Sequence, residues 1–157
     1  MTSRFPNLAV LAIILPFLAA CGREVPKGGS PEAQIEPASP TFNILNILKA
    51  TGNKVEVTGA VSRPYFESKG TMMTVNGGVN LEVYEFDKPA EMEAAAGKIS
   101  PDGMTIDGQR MEWPAQPHFY KTERVIILYL GNDADNAREL EGAFGKQFAG
   151  PQEAVKQ

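Results

Sequence analysis

Few side chains in this chain have the chemistry for a reaction. His118 is the single histidine, set between Pro117 and Phe119. As a general base it needs a carboxylate to orient it and a nucleophile within hydrogen-bond reach. Asp102, Asp107 and Glu112 lie near it in sequence, and Ser100 or Ser62 could supply a hydroxyl. The G-x-S-x-G elbow of a nucleophilic hydrolase does not occur. The competing reading is a histidine packed at a strand end and bonded to backbone. Met72, Met73, Met104 and Met111 join His118 as soft donors that suit Cu(I). Their spacing is not that of a copper motif, and methionine more often fills irregular gaps in a core. Copper is therefore the weaker alternative, and no metal ligand, cofactor or catalytic residue is assigned. Tyr65, Phe66, Trp113, Phe119 and Tyr120 crowd the same irregular or short-strand stretches as His118. Together these six residues form either an interaction surface or a second small core beneath the loops. Asp87 and Asp133, with Glu91, Glu93, Asp135 and Glu139 nearby, sit at expected helix starts, where acids favour the dipole. They read as caps, not as an acid–base pair.

The elements that must hold these residues follow from periodicity. Thr41 is placed to cap a helix from Phe42 to Thr51, with Ile44, Leu45, Ile47 and Leu48 on one side and Gly52 past its end. Lys54 to Thr58 alternates as a strand with Val55 and Val57 inward. Thr71–Val75 and Val79–Phe86 flank Asn76-Gly77-Gly78, a strong hairpin signal because Asn and Gly accept positive φ. Val79, Leu81 and Val83 share one face of the second strand, and Tyr84 and Phe86 imply that the other face is covered too. Asp87 is the expected cap of a second helix with Met92, Ala95, Ala96 and Ile99 as its apolar stripe. Ser100-Pro101-Asp102-Gly103 and Ile106-Asp107-Gly108 are turns, and Met111 to Trp113 is expected as a short strand. His118-Phe119-Tyr120 and Arg124–Leu130 make a second hairpin around Lys121-Thr122-Glu123. Val125–Leu130 is apolar without alternation, which places it centrally with both faces buried. Asp133 caps a last helix with Ala137, Leu140 and Phe144 inward and Gly145 at its end. The expected fold class is α+β: an antiparallel or mixed sheet of about five strands with about three helices, arranged as two hairpin-plus-helix units.

Charge and cysteine usage narrow the function. The chain has 15 Lys and Arg against 19 Asp and Glu, and no basic stripe interleaves with aromatics. Nucleic-acid binding is disfavoured on that ground. The only cysteine is Cys21, so the folded part has neither a disulfide nor a thiolate site.

Cys21 closes the N-terminal segment. Arg4 is followed by a continuous apolar run from Leu8 to Leu18 and by Ala19 and Ala20. That run is shorter than the roughly 17–25 residues a spanning helix needs, and Pro16 interrupts it. It has the layout of a secretory signal. Leu18-Ala19-Ala20-Cys21 resembles a bacterial lipobox. The resemblance implies a diacylglyceryl group on the Cys21 thiol, cleavage before Cys21, and frequent acylation (palmitate, for example) of the new amino group. Two or three chains on one residue anchor stably, where one binds marginally. Gly22 in place of aspartate points by analogy to the outer membrane if the cell has one. The expected localisation is outside the cytoplasm, tethered to the outer side of the plasma membrane or to the outer membrane. Residues 22–40 carry prolines and little apolar matter, and read as a linker of about 25 Å as a coil and about 60 Å extended.

The expected division is a signal peptide at 1–20, a lipidated linker at 21–40, one α+β domain at 41–150 and a frayed tail at 151–157. Behind the lipobox, Ile99-Ser100-Pro101-Asp102-Gly103 and Pro117-His118-Phe119-Tyr120 resemble a group of small bacterial lipoproteins, over roughly Val55 to Gly150. That group brings no activity or ligand with it. The expected function is a membrane-tethered, non-enzymatic binding or envelope-assembly domain, with an envelope protein or a small ligand as partner. An envelope hydrolase using His118 is the alternative.

Overall fold

A computed structural model describes residues 35–151. The signal segment, Cys21, most of the linker and residues 152–157 lie outside the described residues. Helix α1 spans Pro40–Ala50. Strands β1 (Val55–Val61), β2 (Gly70–Val75) and β3 (Val79–Glu85) follow, then helix α2 (Pro89–Ala96). A small pair, β4 (Thr105–Ile106) and β5 (Gln109–Arg110), precedes β6 (Pro117–Thr122), β7 (Val125–Leu130) and helix α3 (Ala134–Phe144). The main sheet is antiparallel throughout, in the order β1-β2-β3-β7-β6. The fold is α+β, as the apolar patterning requires.

β7 organises both halves of the core. Val125, Ile127 and Tyr129 face one side with Leu81, Val83, Met73, Val55 and Val57. On that side α1 contributes Ile44, Leu45 and Leu48, and α3 contributes Leu140 and Phe144. Ile126 and Leu128 face the other side with Tyr84, Phe86, Phe119 and Phe66. There α2 supplies Met92 and Ala96, and the chain after it supplies Ile99 and Ile106. Each fully buried aliphatic side chain contributes roughly 1.5–3 kcal/mol. The two hairpin-plus-helix units are present, β2-β3-α2 and β6-β7-α3, with their helices on opposite faces. Two antiparallel repeats related by a two-fold axis normal to the sheet would instead carry both helices on one face. The recurrence is therefore one of pattern, without a shared packing arrangement.

Several local expectations are corrected. Ser39, not Thr41, caps α1: its hydroxyl accepts from Phe42 N at 3.1 Å, and the helix begins with Pro40 in its first turn. Thr41 is instead clipped to β3, its N–H and hydroxyl both donating to Glu85 Oε2 at 3.1 and 2.8 Å. Ile47 is 37% exposed and stands apart from the buried α1 face, while Ile35, ahead of the helix, packs on the core. Asp87 does not cap α2; Lys88 holds that position, with no capping hydrogen bond from its side chain. Met111 to Trp113 is irregular, and the extra pairing lies earlier, in β4 and β5 around Asp107-Gly108. The second hairpin turns at Glu123-Arg124, so Lys121 and Thr122 belong to β6. Gly150 is packed, not frayed. Its N–H donates to Pro101 O, and Phe119 exchanges backbone bonds with Phe148 and Ala149, which cover the edge of β6. The Asn76-Gly77 turn forms as expected, with φ of 50° and 72°. Asp133 caps α3 by accepting from Asp135 N and Asn136 N.

A charged residue is buried in the second face. Glu82 on β3 is 4% exposed. Arg63, from the loop after β1, grips it through two nitrogens, one of them at 3.1 Å, and Tyr84 donates its hydroxyl at 2.5 Å. Removing Arg63 alone strands a carboxylate out of water. Arg63→Met is expected to cost about 3 kcal/mol or more, and Arg63→Met with Glu82→Met to recover most of it. A denaturant double-mutant cycle checks this, and additive losses would show that the pair is not coupled.

Candidate functional site

A cleft of about 680 Å³ lies between the end of α1, the β2–β3 turn and α3. Its walls are aliphatic: Leu48 of α1, Val75 and Val79 beside the turn, and Leu140 and Ala143 of α3. The rim is polar, with Thr51, Asn53, Asn76, Asn136 and Glu139. The rim groups are linked. Asn76 Nδ2 donates to Asn53 Oδ1 at 2.5 Å, and Asn53 Nδ2 to Glu139 Oε1 at 2.9 Å. The hairpin turn and α3 are thus joined across the mouth by amide groups. A cleft of this size with apolar walls and a few converging polar groups is the usual form of a small-molecule site. Sequence reasoning missed it. Leu48 and Leu140 are legible as apolar-face residues, but three elements distant in sequence bring them together with Val75.

His118 lies elsewhere, 6% exposed, on the first face near the start of α3. Its ring stacks on Tyr129, with centroids 5.4 Å apart. Nδ1 is 2.9 Å from Gln147 Oε1, and Nε2 is 3.2 Å from the Gly131 carbonyl. Gln147 in turn donates to Pro151 O, so the ring ties β6 to the loop before α3 and to the segment after it. No carboxylate orients it in these contacts. Ser100 and Asp102 bond each other at 2.6 Å beside Gly103, whose neighbours Phe119 and Trp113 belong to the second face. Ser62 follows β1 at the far edge of the sheet, about 19 Å away at ordinary strand spacing. The arrangement is that of a histidine held within the packing, with neither a serine nor a carboxylate hydrogen-bonded to its ring.

The aromatic group splits in the same way. Phe66, Phe119 and Tyr120 are buried, and Tyr65 and Trp113 pack edge to face at 5.8 Å above Phe66 and Phe119. All but Tyr120 and His118 belong to the second core, so they do not present one recognition surface. Tyr120 faces the first core and donates to Ala137 O at 3.1 Å. The methionines also part: Met73 lies in the first core and Met111 against the second, with the sheet between them. They do not gather around His118. Among the described residues no cluster of three His, Cys, Asp or Glu side chains is placed to hold a metal. Helix starts at Glu91 and Asp135 carry ordinary ion pairs to Lys88 and Arg138. A shallower hollow of about 370 Å³ between Tyr65 and α2 is lined by Glu67, Glu85, Asp87, Glu91 and Lys98.

No family model, curated protein or solved structure matches the chain. No helix among the described residues is long and apolar enough to cross a membrane.

Two predictions follow from burial. His118→Ala would take the ring N–H from the buried acceptors that face it, Gln147 Oε1 and the Gly131 carbonyl, at a cost of about 1–3 kcal/mol in denaturant unfolding. A variant as stable as the parent would show that the ring holds nothing. The second concerns alkaline pH. Burial pushes the Tyr65 phenol up to about 12, with the Arg63 charge opposing and the Glu82 charge adding. Burial first, then the bond to Glu82, raises Tyr84; burial, then the Glu141 charge, raises Tyr120. Each phenol holds its proton more tightly folded than unfolded. Its stabilisation is complete below the unfolded value near 10 and is lost as pH climbs through the folded one. Tyrosinate absorbance should show these three ionising only with unfolding. Ionisation near pH 10 with the fold intact would contradict the burial argument.

Proposed function

We propose that the protein is a lipid-tethered binding module of a bacterial cell envelope. Cys21 is acylated, the linker holds the domain clear of the membrane, and the cleft between α1, the β2–β3 turn and α3 takes a small ligand. The observation that carries the binding role is the cleft itself: aliphatic walls under a rim of linked amides. Apolar walls exposed to water gain when a ligand covers them. The buried state of His118, Phe66, Phe119 and Tyr120 favours this reading over an enzyme or an aromatic docking face.

The tether and the cleft are tested separately. Cys21→Ser is expected to give an unprocessed or soluble protein in cell fractionation. A Cys21→Ser protein that remains membrane-bound at its mature size would remove the acylation reading. For the cleft, methyl NMR of the full-length protein in lipid nanodiscs is titrated with n-butanol. Saturable shifts are expected at Leu48, Val75, Val79 and Leu140, and Ala143→Trp should abolish them by filling the space. Shifts that are absent, or that persist in Ala143→Trp, would sink the cleft as a binding site.

A further inference from the structure

Resting on the cleft as the binding site, the structure assigns its ligand class: we infer a single-chain aliphatic amphiphile with an uncharged hydrogen-bonding head. The wall residues decide the body of the ligand. Leu48, Val75, Val79, Leu140 and Ala143 are all aliphatic, and no ring lines the cleft, so a flat aromatic ligand finds nothing to stack on. A flexible methylene chain matches such a wall.

Gly142 points the same way. It is the only glycine within the three helices of the described residues, inside α3 and on the cleft wall. Glycine is the costliest residue after proline to order in a helix. The fold does not call for it: a Cβ built there meets nothing within 4 Å, and its φ is not positive. Gly78, on the facing hairpin, is equally open, with nothing within 4 Å. Both glycines line the cleft and both are exposed, so a ligand chain can lie against their backbone without displacing a side chain.

The rim decides the head. Thr51, Asn53, Asn76 and Asn136 offer neutral donors and acceptors, and Glu139 is the only charged lining residue. With no Lys or Arg in the lining, a carboxylate or phosphate head would meet Glu139 uncompensated. A glyceryl or amide head pairs with the amides instead.

The test uses the full-length protein in nanodiscs with free ligand fixed by dialysis. Monodecanoylglycerol is expected to shift the Leu48, Val75, Val79 and Leu140 methyls to one-to-one saturation. Decanoate should bind at least tenfold more weakly. Gly142→Leu should weaken monodecanoylglycerol at least tenfold with the fold intact by circular dichroism. Gly142→Ala should weaken it less while raising Tm by about 2–5 °C. Equal binding of decanoate, or tenfold tighter binding of decylamine, would overturn the head assignment. Unchanged binding in both Gly142 variants would overturn the chain's path. If n-butanol maps to the cleft but no decyl compound does, the ligand class fails and the binding module stands. If neither maps there, both fall.

Discussion

The constraint on which this fold depends is that β7 has no polar face. Val125 to Tyr129 are buried, with alternate residues turned to opposite sides of the sheet. A strand of that kind is stable only if both faces are covered. One antiparallel sheet of five strands cannot cover itself, so α1 and α3 lie on one side, and α2 and the long loops on the other. The strand also needs neighbours on both edges, which β3 and β6 provide. The edge of β6 is then closed by Phe148 and Ala149.

The two coverings differ in kind, and each leaves a hollow. The second face is covered by a helix, aromatic loops and the Arg63–Glu82–Tyr84 network, in which a buried carboxylate has a cation and a phenol as partners. Such a network fixes the loop after β1 in one place, since no other arrangement satisfies Glu82. On the first face two helices span a sheet that twists beneath them. α1 packs on β1 and β3 and α3 on β6, and the cleft lies between the two helices beside the β2–β3 turn. The amides of Asn53 and Asn76 tie its mouth without filling it.

Much of this was legible in the residues. Period-two and period-three-to-four patterns located the five main strands and three helices, and the Asn76-Gly77 turn formed for the stated reason of positive φ. Errors cluster where short-range signals compete. Ser39 and Thr41 both have capping hydroxyls, and the helix starts at the earlier one because Thr41 is drawn to Glu85. Asp87 precedes α2 by one residue too many to reach its first free N–H groups. β4 and β5 are two residues each, below the length at which alternation can be seen.

The site was less legible than the fold, and the reason is physical. A single sequence displays residue types, and His118, the aromatics and the methionines drew notice because their chemistry is uncommon. In the fold that chemistry is packed away: the His118 ring is buried with its nitrogens facing Gln147 Oε1 and the Gly131 carbonyl, and all the aromatics but Tyr120 lie in the second core. The sequence by itself determined the element types, the two-sided burial of β7 and the absence of disulfides, because these depend on local periodicity and composition. Only the tertiary structure decided which face each helix covers, and hence that Leu48, Val79 and Gly142 line one hollow. Those are ordinary residues, far apart in the chain, and their shared surface exists only once the helices have packed.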